Sequence, residues 1–181
     1  LEQAKCLLTD KIPDVIKIGL VANTEQVGAI ISIIDSAKEL NDRLKVIYDP
    51  VGQASVGGRF NELSVSALKP LLAKVDVLTP NLVEASSLAQ SQEHDAQSLA
   101  IALLQLGCQS VVVKGGHANT ALSSDICVHQ LSNEMQLEKL DSTEITYTLT
   151  SPRVDTSYTH GGGCTFASAL ACFIGHGYLL R

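Results

Sequence analysis

The chain has 181 residues, 45% of them hydrophobic and 4% aromatic, with 13 Lys+Arg against 19 Asp+Glu for a formal charge of -6. That is enough apolar material for one globular domain with a sizeable core, while the acidic balance and scarcity of rings argue against a nucleic-acid groove. No apolar run approaches the roughly 18 residues of a membrane span, and five cysteines without CxxC spacing suit reduced thiols in a cytoplasm better than a disulfide framework or zinc site.

In chain order, Asp14 to Gly19 reads as a strand, and Asn23-Thr24-Glu25-Gln26 forms a capping pattern before Val27, Ile30, Ile31 and Ile34 recur at helical spacing. Lys45-Val46-Ile47-Tyr48 is a second strand ending at Asp49-Pro50, followed by a glycine-rich loop through Gly57-Gly58. Val65, Leu68, Leu71 and Leu72 mark the next helix, and Pro70 within it predicts a bend or a division. Val75 to Leu78 is a third strand closed by Thr79-Pro80-Asn81; helices are expected from about Val83 and from about Asp95 to Leu106, the latter ended by Gly107.

Ser110 to Val113 is the fourth strand, running into Lys114-Gly115-Gly116-His117. The stretch from Ile126 to Leu149 is ambiguous, though β-prone Ile145-Thr146-Tyr147-Thr148-Leu149 suggests strands, with an antiparallel pair around a polar turn as one arrangement. Pro152 ends that run. A glycine-rich turn, Thr159-His160-Gly161-Gly162-Gly163-Cys164-Thr165, then feeds a helix of small residues.

Repeated alternation of apolar strands and helices argues for an α/β fold: a parallel sheet with helices on both faces and no linker to divide it. In such sheets ligands bind beyond the carboxyl ends of the strands. Asp49, Asn81 and Lys114 each follow a strand and Gly161 to Gly163 open a helix, so all belong to one rim. A carboxylate suited to a hydrated divalent cation, an amide, a point positive charge and free backbone donors are what phosphoryl transfer requires. The residues read as a nucleotide-dependent kinase.

The segments Val15-Ile16-Lys17-Ile18-Gly19, Asp49-Pro50-Val51, Leu78-Thr79-Pro80-Asn81-Leu82-Val83-Glu84-Ala85, Val113-Lys114-Gly115-Gly116-His117, Ser151-Pro152-Arg153-Val154 and His160 to Ser168 closely resemble the hydroxymethylpyrimidine/phosphomethylpyrimidine kinases of thiamine biosynthesis. The resemblance covers essentially the whole chain. It implies a ribokinase-like, three-layer α/β/α fold with a mostly parallel sheet. The implied activity is ATP- and Mg²⁺-dependent phosphorylation of 4-amino-5-hydroxymethyl-2-methylpyrimidine and then of its monophosphate. A cytoplasmic protein, without nucleic-acid or membrane partners and dimeric in its intact form, is expected. Residues 1–181 are expected to be a single partial kinase domain, short of the family's N-terminal strands and last helix.

Residue by residue, the resemblance makes Cys164 the general base for the alcohol. Gly161 and Gly163, with the amides of Cys164 and Thr165, become the anion hole, and Lys114 neutralises the transferring phosphate. Asn81 and Glu84 organise Mg²⁺ and its waters, Asp49 lies near metal and phosphates, and Leu20 and Val51 touch the pyrimidine. Gly162 departs from the pattern, standing where the family usually has a hydroxyl. Each residue also has an ordinary reading: Cys164 packing a helix start, Lys114 at a strand end, Glu84 in a first helical turn, Asp49 in a turn. His117 and His160 are given no catalytic role, and Cys172 and His176 read as helix packing and helix end. Two alternatives stand beside the kinase: a pyridoxal kinase or similar ribokinase-like alcohol kinase, whose base is ordinarily Asp, and a non-catalytic nucleotide-binding module.

Overall fold

The computed structural model describes residues 2–51, 63–115, 122–131, 143–154, 156 and 161–178. Its elements are α1 (Glu2–Asp10), β1 (Val15–Ile18), α2 (Thr24–Leu40), β2 (Lys45–Tyr48), α3 (Val65–Leu72), β3 (Val77–Leu78), α4 (Leu82–Ala89), α5 (Ala96–Leu104), β4 (Ser110–Val113), β5 (Leu122–Gln130), β6 (Glu144–Pro152) and α6 (Gly162–Gly175). The strands form one sheet in chain order, β1 to β6. β1 to β4 run parallel, and β5 and β6 are added antiparallel.

Sequential parallel strands joined by right-handed crossovers must carry their helices on one face. Ile34 and Ala37 of α2, Leu71 and Leu72 of α3, Ala85 of α4, and Leu99 and Leu103 of α5 are accordingly buried in one core with Val46, Leu78, Val111 and Val113 of the sheet. Strand alternation sends Ile47, Val77, Val112 and Cys127 to the other face, where Phe166, Leu170, Ala171 and Ile174 of α6 cover them. Three layers result. No described helix is long and apolar enough to cross a membrane.

Several boundaries differ from the sequence expectation for physical reasons. Pro70 does not divide α3, which runs unbroken from Val65 to Leu72: the proline forfeits a single intrahelical hydrogen bond, while Leu68, Leu71 and Leu72 are buried around it. β3 is only two residues, because the chain from Ala73 to Val75 turns out of the preceding helix. α1 had no sequence signature, and it buries none of its residues. The ambiguous stretch resolves into an antiparallel pair in which Leu122 aligns with Pro152 and Gln130 with Glu144.

That pair overruns its neighbour. Val113, the last residue of β4, aligns with Ile126, so residues 122–125 of β5 continue past the edge where β4 ends. A Cβ at Gly115 would lie 1.8 Å from the Ser124 carbonyl oxygen. Gly115 is therefore a glycine because β5 passes against it, and its N–H donates to Asp125 Oδ1 at 2.9 Å.

Candidate functional site

Because Ile47, Val77 and Val112 face α6, the residues two further along, Asp49, Thr79 and Lys114, face the same way just beyond the strand ends. α6 runs against the strands. Its carboxyl end lies at the start of β1, with the Gly175 Cβ position 3.4 Å from Val15 Cγ2, and its amino end lies over the strand ends. A Cβ at Gly163 would stand 3.2 Å from Lys114 Nζ and 4.0 Å from Asp49 Oδ2. The topology thus gathers β2, β3, β4 and α6 at one place.

At its centre is an ion pair. Lys114 Nζ donates to Asp49 Oδ1 at 2.8 Å, with Asp49 1% exposed. The Thr79 hydroxyl, also buried, lies 3.4 Å from both Asp49 Oδ1 and the Tyr48 carbonyl oxygen. Asp49 Oδ2 is buried and has no hydrogen-bond partner among the described residues. A buried carboxylate oxygen without a partner is costly, and here it points at the mouth of α6.

That mouth is a set of open donors. Gly161 caps α6 at φ 79°, a backbone conformation glycine adopts without strain, and offers no side-chain acceptor. The N–H groups of Gly162, Gly163 and Cys164 have no intrahelical acceptor. The Thr165 N–H is taken by the Gly161 carbonyl at 2.9 Å. Of the expected anion-hole residues, Gly163 and Cys164 keep N–H groups without an intrahelical acceptor and Gly162 joins them, whereas Gly161 is the cap and the Thr165 amide is part of the helix. Cys164 is the third residue of α6 and its side chain is exposed.

Asn81 is placed beside Lys114 by a parallel bridge, and the Lys114 N–H donates to the Pro80 carbonyl at 2.9 Å. With Glu84 it forms a reciprocal capping box at the start of α4: Asn81 Oδ1 accepts from the Glu84 N–H and Glu84 Oε2 from the Asn81 N–H, each at 2.8 Å. These two side chains serve the helix first. Leu20, 46% exposed, and half-buried Val51 follow β1 and β2 on the same edge. His176 Nδ1 lies 2.8 Å from the Cys172 carbonyl at the far end of α6, a helix-end contact. Gly57-Gly58, His117 and His160 lie outside the described residues.

Thr79 and Tyr48 were missed by sequence reasoning. Burial first, then the charges of Glu84 and Asp49, push the Tyr48 hydroxyl well above its ordinary range, so it stays protonated. Their only sequence signal is adjacency, Tyr48 closing an apolar strand before Asp49 and Thr79 opening Thr-Pro-Asn. No group of three His, Cys, Asp or Glu among the described residues could hold a metal. A single carboxylate beside substrate phosphates is nevertheless how Mg²⁺ is commonly held, and the unpartnered Asp49 Oδ2 fits that habit.

The sequence family described as phosphomethylpyrimidine kinase matches residues 1–181. The hydroxymethylpyrimidine/phosphomethylpyrimidine kinase of Salmonella typhimurium is 33% identical over 93% of this chain and 59% of its own length. A thiamine biosynthesis multifunctional protein of Corynebacterium glutamicum is 31% identical over 97% of this chain and 22% of its own length. The chain thus spans well under two thirds of these relatives. Among solved structures, the Staphylococcus aureus pyridoxal kinase in complex with ADP superposes with a TM-score of 0.77 at 28% identity, covering 98% of this chain and 60% of that one. The ribokinase-like, mostly parallel α/β fold expected from the sequence is therefore the fold observed.

Proposed function

This chain belongs to the phosphomethylpyrimidine kinase family, and on that premise we propose that the intact gene product uses ATP to phosphorylate 4-amino-5-hydroxymethyl-2-methylpyrimidine and then the monophosphate, within thiamine biosynthesis. The observation that carries the reading is the Lys114–Asp49 pair held directly beneath the open amides of α6. The Lys114 ammonium lies beside Gly163 at the start of α6, where the N–H groups of Gly162, Gly163 and Cys164 lack intrahelical acceptors, a combination that suits a transferring phosphoryl group whose charge must be stabilised in place.

In the first transfer the substrate hydroxyl oxygen attacks the γ-phosphorus, the bond to the bridging oxygen breaks, and ADP leaves. Cys164 Sγ would take the hydroxyl proton. In the second transfer the acceptor is a phosphate monoester, already anionic, so no base is needed. Asp49 Oδ2 would hold Mg²⁺, with Asn81 and Glu84 ordering its waters; the ion would supply charge screening between this carboxylate and the phosphates. Leu20 and Val51 would line the approach of the pyrimidine. In the same reading residues 1–181 belong to a single kinase domain of a cytoplasmic protein that is dimeric in its intact form.

A pyridoxal kinase is the second reading, favoured by the superposition on the Staphylococcus aureus enzyme. Cys164, where that group ordinarily has Asp, weighs against it. Transfer to the pyrimidine alcohol and to pyridoxal, compared side by side on the intact gene product, decides between them: preference for the pyrimidine supports the proposal, and preference for pyridoxal overturns it.

A further inference from the structure

Strand alternation places Lys17 on the α6 face of β1, where its register partner is Ile47, buried beneath that helix. Its charge does not stay there. Lys17 Nζ lies 3.3 Å from where a Cβ at Gly19 would stand, so the stem runs forward along the strand and delivers the ammonium at the carboxyl edge. Gly19 neighbours Asp49 across the β1–β2 pair: Ile18 aligns with Tyr48, and the Asp49 N–H donates to the Ile18 carbonyl at 2.9 Å. Two ammonium groups therefore stand at this edge, Lys114 just past β4 and paired with Asp49, and Lys17 from β1 beside Gly19, the residue next to Asp49 across the strand pair. Lys114 is committed to Asp49 at 2.8 Å, whereas Lys17 makes no ion pair among the described residues.

The two transfers make different demands on charge. The alcohol is neutral, but its monophosphate carries roughly two negative charges and must approach a triphosphate tail. A positive charge on the acceptor's side is needed for that step alone. We infer that Lys17 binds the phosphate of the monophosphate acceptor and so allows one site to serve both an alcohol and its phosphate ester. Leu20, exposed at the same strand end, is the residue the family resemblance expects to touch the pyrimidine, and such a contact would bring the acceptor to the end of β1 that carries this ammonium. An oxygen of the acceptor phosphate attacks the γ-phosphorus, the bond to the bridging oxygen breaks, and ADP leaves; Lys17 exchanges no proton. The inference rests on the function proposed above.

The test uses the intact gene product as wild type, Lys17→Met and Lys17→Arg, measuring kcat/KM for each acceptor with saturating MgATP. Binding of the monophosphate without nucleotide is followed by calorimetry. The expected result is a roughly ten- to hundredfold fall in the ratio of monophosphate to alcohol kcat/KM for Lys17→Met, mostly through KM. Calorimetric affinity falls in parallel, and Lys17→Arg restores most of it. Should the methionine variant not fold, Lys17→Gln is read the same way. An unchanged ratio, or equal loss on both acceptors, overturns the role of Lys17 while leaving the kinase reading intact. Wild-type protein that phosphorylates neither acceptor overturns both.

Discussion

Gly163 is the point at which side-chain chemistry and backbone meet, since any Cβ there would crowd the Lys114 ammonium at 3.2 Å. The crowded atom is the end of a flexible chain, so Gly163→Ala is expected to be neutral or stabilising by up to about 1 kcal/mol, yet to lower kcat about tenfold by displacing the charge. Thermal melts and steady-state kinetics on the same samples check whether the two effects separate. Cys164→Ala is expected to slow transfer to the alcohol by about a hundredfold or more and to leave transfer to the monophosphate nearly untouched; equal slowing of both steps would remove the thiol from the role of base. Asp49 and Lys114 were legible in the sequence because each follows an apolar strand. Their 2.8 Å pairing was not, since 65 positions separate them and only the sheet brings them together. Lys17 was illegible for another reason: its place within a strand hid the forward reach of its side chain.

Elements carry constraints that single residues do not. Gly115 lies where β5 overruns β4, and Gly115→Ala would drive a methyl into the Ser124 carbonyl; the expected cost is about 3 kcal/mol, read from the urea midpoint, and a neutral outcome would mean the hairpin shifts freely. The β4–β5 pair also contains a pH-sensitive contact. His129 Nδ1 and Ser110 Oγ are 2.7 Å apart, and burial, then the charge of Lys45, hold the histidine below its ordinary pKa. Below about pH 6.5 the unfolded chain binds this proton more readily than the folded one, so stability declines as pH falls through that value. His129→Gln should flatten the decline in denaturation midpoints on either side of that pH; an unaltered slope would assign it to other groups. The parallel strands and their helices were readable from apolar periodicity. The hairpin was less so: Ile145, Tyr147 and Leu149 alternate with threonines as in a strand, but β6 is largely exposed, so that alternation gave no pairing partner or register.

At the scale of the molecule, chain-order strands put α2 to α5 on one face and leave α6 on the other. The same arrangement aims the start of α6 at the carboxyl edge, which is why the glycine turn, distant in sequence from Asp49 and Lys114, opens beside them. Sequence periodicity predicted the layers but contained no information on strand order, so the meeting of β2, β4 and α6 could be expected only from the rule that ligands occupy this edge. The central claim is that this meeting is where phosphate moves. Its most direct test is transfer from γ-labelled ATP to the pyrimidine alcohol by the intact gene product, wild type against Lys114→Met. The variant strands a buried Asp49 charge at a cost of about 3–5 kcal/mol, so rates are scored only on protein shown to be folded by circular dichroism. The account predicts labelled mono- and diphosphate from the wild type and a loss of about a hundred- to a thousandfold in the variant. No transfer by the wild type, or an undiminished rate in folded Lys114→Met, would contradict it.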